Sequence, residues 1–169
     1  MTVFNHFSRK EDLFFDLEEG GREDLLAALQ QREPGTAPAE ALRLFAHWAI
    51  ANQRPYVRFS EEGSDKFIDT IQVSEALKAR ARAIRCELTD MLTLALAEST
   101  GRHLPDPFAS LTASLLVTTW TVALLEAHRA FQQGQGLAAA NTAFLALIRP
   151  GNERSADRLG RYAVPLKPR

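Results

Sequence analysis

Apolar residues recur along this chain at three- and four-residue intervals, the spacing of one helix face, and no stretch alternates in the two-residue rhythm of a half-buried strand. Leu13, Phe14 and Leu17 form a first stripe, and Leu25, Leu26 and Leu29 a second. A third helix is predicted from about Ala37 to Asn52, with Leu42, Phe45, Trp48 and Ala49 on one side. Tyr56 to Ile71 is less regular, with Phe59, Phe67, Ile68 and Ile71 turned inward around the polar loop Ser60-Glu61-Glu62-Gly63-Ser64-Asp65. A long helix from about Ser74 to Ser99 carries Leu77, Ala81, Ile84, Leu88, Met91 and Ala95, a seam stepping by four and three. The next, about Pro107 to Gln133, is apolar twice over. One face holds Phe108, Leu111, Leu115 and Val122, the other Leu116, Trp120, Ala123, Ala127 and Phe131, with Ser110, Ser114, Thr118 and Thr121 between. Two oily faces need two covers. A last helix, about Leu137 to Ile148, aligns Leu137, Asn141, Phe144 and Ile148.

The punctuation agrees with this division. Gly20-Gly21, Pro34-Gly35, Pro55, Gly63, Gly101, Pro105-Asp106-Pro107, Gly134 and Gly136, and Pro150-Gly151 fall between the stripes. Ser8 and Glu11 have the spacing of a capping box. Gly101 sits where a glycine ends a helix, and Asp106-Pro107 where a cap and first residue begin one. The expected fold is all-α, a helical bundle. Residues 1–20, 21–149 and 150–169 are expected to be separate parts, the last a mobile basic tail.

Composition narrows the class. The chain has 169 residues, 46% hydrophobic and 24% charged, which suits one domain with a real core. Alanine and leucine, both helix formers, are the commonest residues. A net charge of −1 gives no bulk attraction to polyanions. The single cysteine, Cys86, excludes a disulfide framework and cysteine-based metal sites, and suggests a reducing, cytoplasmic setting. The opening residues lack the pattern of a secretory signal. Pro107 to Leu125 is uncharged and nearly long enough to span a bilayer, but its six hydroxyl side chains favour a soluble helix buried on two sides.

Enzyme chemistry finds little footing. His6, His47, His103 and His128 are scattered, and no His-Glu-x-x-His, Glu-x-x-His or Gly-x-Ser-x-Gly occurs. Gly134-Gln135-Gly136-Leu137-Ala138-Ala139 matches a dinucleotide pattern in letters only, because it joins two helices and no strand precedes it. Asp12, Asp16, Glu18 and Glu19 read as a solvated helix face, and Cys86 as an ordinary helix residue. No metal, cofactor or catalytic group is implied.

The opening stretch is more specific. Thr2-Val3-Phe4-Asn5-His6-Phe7-Ser8-Arg9-Lys10-Glu11-Asp12-Leu13 closely resembles the end of the recognition helix, and the start of the following helix, in TetR-family transcriptional regulators. The rest resembles that family's C-terminal bundle in pattern. The resemblance implies a cytoplasmic, DNA-binding repressor, a homodimer released from operator DNA by a small apolar effector. Residues matching Thr2, Phe4, Asn5, His6 and Lys10 would contact DNA or brace the recognition helix. Phe4 stands where tyrosine is common, and so lacks a hydroxyl for phosphate. Phe45, Trp48, Phe67, Ile71, Met91 and Trp120 would line the effector pocket, and Leu111, Leu115, Phe144 and Ile148 the dimer interface. Paired heads would meet half-sites about 34–36 Å apart. The motif begins in mid-helix, so the first part of the helix-turn-helix is expected upstream of Met1. The alternative is a freestanding helical dimerisation or small-molecule-binding protein without DNA activity.

Overall fold

The computed structural model describes residues 17–59, 70–71, 73–101 and 106–148. Among them every regular element is helical, as the periodicity predicts. The elements are α1 (Leu17–Gln30), α2 (Pro38–Ala51), a 3₁₀ turn (Pro55–Val57), α3 (Glu75–Ser99), α4 (Pro107–Gln132) and α5 (Gly136–Ile148).

The ends follow local chemistry. Ser74 caps α3 by accepting from the Leu77 amide, and Asp106 caps α4 by accepting from the Phe108 and Ala109 amides. Pro38 and Pro107 stand at the starts of α2 and α4, where a missing N–H costs nothing. Gly134 and Gly136 adopt φ of +74° and +82°, and turn the chain from α4 into α5. The Gly-x-Gly run is therefore a helix corner.

One break is placed differently from the expectation. Gly20-Gly21 does not separate two helices; both lie inside α1. The boundary expected after residue 20 thus falls within a continuous helix. The reason is tertiary: a Cβ on Gly21 would stand 3.0 Å from Cγ and Cδ1 of Tyr56. Here glycine serves close approach, and packing against the 3₁₀ turn outweighs its poor helix propensity.

α3 and α4, each about 37–39 Å long, pack along one another. α1 rests on α2, α3 and the 3₁₀ turn, and α2 also meets α4. Phe59, Phe144, Leu29, Leu42, Leu92 and Ile148 are the largest side chains wholly inside. Arg32 ties the end of α1 down, donating to the carbonyls of Leu29 and Thr36 and to Ser99 Oγ. A smaller cluster, Leu77 and Ile84 with Ile71 and Ala81, sits at the N-terminal half of α3.

Among the described residues, only one of the two apolar faces of α4 is covered. Leu116, Ala123 and Ala127 are buried, whereas Phe108 is 71% exposed, Leu111 44%, Val122 49% and Leu125 42%. The chain's own core supplies one cover, and the second that two oily faces need is not found among the described residues. α4 is also long and apolar enough to cross a membrane by length and composition.

Candidate functional site

Rings from α2, the 3₁₀ turn, α4 and α5 form a continuous file through the bundle. Phe45 is its hub. It stacks on Trp48 at 5.9 Å and on Tyr56 at 6.1 Å, and meets Trp120 at 5.3 Å, centroid to centroid. Trp120 stands edge-on to Phe144 at 5.0 Å, and Phe144 leans on Phe59 at 5.6 Å. Phe59 ends the file against the edge of His128 at 5.3 Å. These spacings are those of rings in contact. Burial holds the His128 pKa below its ordinary value.

Of the six residues expected to line an effector pocket, Phe45, Trp48 and Trp120 are brought together, packed ring on ring. Met91 lies against the same core. Ile71 belongs instead to the small cluster with Leu77 and Ile84. Ile71 precedes α3 and packs on its first turns, apart from the aromatic file. Phe67 lies outside the described residues, as do Thr2, Phe4, Asn5, His6 and Lys10.

The interface set divides. Leu111 and Leu115 lie on the outward face of α4, with Leu111 largely exposed. Phe144 and Ile148 are fully buried inside their own chain, Phe144 between Trp120 and Phe59. They cannot form a surface for a partner, and their assignment to the interface is withdrawn. α5 turns Phe144 and Ile148 inward, Phe144 edge-on to Trp120, and leaves Leu137 at the surface.

Where the aromatic file reaches solvent, Trp48 is 43% exposed and a charged cluster covers it. The chain leaves α2 by a reversal: Gln53 N–H donates to Ile50 O and Arg54 N–H to Ala49 O. Gln53 itself takes a left-handed φ of +50°, the position usually given to glycine in this motif. The reversal brings the Arg54 guanidinium back over Trp48, 5.4 Å from its centroid, and 5.8 Å from that of Tyr56. Arg54 Nη2 pairs with Asp24 Oδ2 at 2.6 Å, and the Tyr56 hydroxyl donates to the same oxygen at 2.8 Å. The Tyr56 pKa is raised, first by burial and then by its bond to Asp24. Arg54 Nε is buried and has no hydrogen-bond partner among the described residues.

Sequence reasoning did not find this cluster. Asp24 and Tyr56 are 32 positions apart, and neither α1's apolar stripe nor its charge marks Asp24. The only local signal is Arg54-Pro55 just past a helix end. Among the described residues, no group of three or more His, Cys, Asp or Glu side chains is placed to hold a metal ion. Comparison of the chain with protein-family models, curated proteins and solved structures finds no match.

Proposed function

We propose that this chain is a TetR-like, DNA-binding transcriptional regulator that works as a cytoplasmic homodimer. The observation that carries the reading is the run from Thr2 to Leu13 immediately ahead of α1, with aromatic, histidine, aromatic, lysine and leucine at the spacing of that family. Lys10 there supplies a cation for a phosphate oxygen, beside Ser8 and Glu11 at a helix start that would present free amides.

The second apolar face of α4 supports the dimer. Phe108, Leu111, Leu115, Thr118, Val122 and Leu125 step by three and four, the rhythm of a helix seam that packs on another helix. A second copy related by a two-fold axis would cover the seam with the same seam. The effector is read as a small apolar molecule that inserts beside Phe45, Trp48 and Trp120 and so favours one bundle conformation, a coupling of typically ~1–3 kcal/mol.

The test is DNA selection from a random duplex library, using the chain together with any sequence that precedes it in its reading frame. Sequence-selective binding is expected. Lys10→Ala should weaken all sequences alike and reduce the salt slope by about one. Selective binding insensitive to Lys10 would make that residue only structural; absence of binding overturns the reading. The exposed seam would then favour the alternative, a freestanding helical homodimer without DNA activity, because that surface needs no DNA to explain it.

A further inference from the structure

We propose that Trp48, Tyr56 and Asp24 form a cation cage, occupied in this state by the chain's own Arg54, and that a quaternary ammonium group can take its place. This goes beyond the DNA-binding reading and does not depend on it.

The cage has the two parts that cation recognition requires. Two aromatic faces lie within about 6 Å of one cationic centre, and a carboxylate lies alongside. Its walls come from three elements: Asp24 from α1, Trp48 from α2 and Tyr56 from the 3₁₀ turn. They are braced from behind, with Tyr56 and Trp48 both stacked on buried Phe45, and Tyr56 pressed against Gly21. Arg54, by contrast, arrives on a backbone reversal that sets a glutamine in a left-handed conformation. The walls are packed from behind, and the occupant is a side chain tethered to the adjoining turn.

The chemistry of the fit selects the class of ligand. Arg54 brings donors the cage does not fully satisfy: Nη2 reaches Asp24, but Nε is buried without an acceptor. A buried donor left unpaired carries a desolvation penalty. A quaternary ammonium group carries positive charge and no N–H. It can meet both ring faces and Asp24 while leaving no donor unsatisfied. The site opens to solvent at Trp48, so exchange needs no opening of the core. When Arg54 swings out, its charge is returned to water.

The experiment is a titration with tetramethylammonium chloride, with sodium chloride at matched ionic strength as control, read by the shift and broadening of the ligand's methyl resonance in proton NMR, which does not depend on Trp48 as a reporter. Wild type should respond saturably but weakly, because the tethered Arg54 competes at a high effective concentration. Arg54→Ala should lower the half-saturation concentration about tenfold or more, and Trp48→Phe should abolish the response. Arg54→Gln, which keeps the stem and loses the charge, repeats the measurement if the alanine variant does not fold. If neither variant folds, the wild-type titration decides, with Trp48→Phe as its control. No saturable response beyond the sodium control, equal half-saturation with and without the Arg54 charge, or a response that survives Trp48→Phe overturns the proposal.

Discussion

Adjacent glycines in α1 do different work. A Cβ at Gly20 would meet nothing within 4 Å, whereas one at Gly21 would press into the Tyr56 ring. Gly20→Ala should therefore stabilise the fold by about 0.5–1 kcal/mol through helix propensity alone. Gly21→Ala gains the same propensity but must displace Tyr56, an overpacking cost of typically ~1–3 kcal/mol. Urea denaturation of the two variants should move in opposite directions. His128 gives a pH signature at the same scale. Burial keeps its folded pKa below the ordinary 6.5. Above that value both states are neutral and the residue adds no pH dependence. As the pH falls through 6.5, the unfolded chain takes up the proton first, so stability falls until the folded pKa is reached, by at most about 1.4 kcal/mol per pH unit. His128→Gln should be flatter over that window than wild type, as measured by denaturation at about pH 7.5 and about pH 5.

At the scale of elements, helix ends were legible because capping is local. Asp106 and Ser74 sit one residue before their helices, and each accepts from an amide within three positions. Asp106→Ala should cost about 1 kcal/mol, since it frees two amides at the start of α4. Ser74→Ala should cost less, because its one bond is long, 3.4 Å. A denaturant midpoint for Asp106→Ala equal to wild type would show that α4 is held by packing alone. The aromatic file was half legible. Phe45 and Trp48 are three apart on α2, so their contact follows from the helix itself. Their partners Trp120 and Phe144 come from distant elements, and no spacing rule connects them.

For the molecule as a whole, the outward seam of α4 and the inward row of α5 make opposite predictions. Leu111→Asp places a charge on an already exposed face. Under the dimer proposal it should yield a folded monomer, with helical circular dichroism retained and sedimentation mass halved. Unchanged dimer, or a wild type that is itself monomeric at high concentration, would remove the interface. Phe144→Asp would bury an unpaired carboxylate among Trp120 and Phe59 and should abolish folding, whatever the oligomeric state.

Helical class, the capped start of α4 and its doubled apolar surface were determined by sequence alone. Each depends on side chains a few positions apart, held at fixed angles by the helix. Tertiary structure alone decided which apolar faces meet each other and which stay open, that Gly21 continues a helix, and that Arg54 folds back over Trp48 to Asp24. Those outcomes join residues tens of positions apart, where periodicity carries no information and only the packing of whole helices selects the partner.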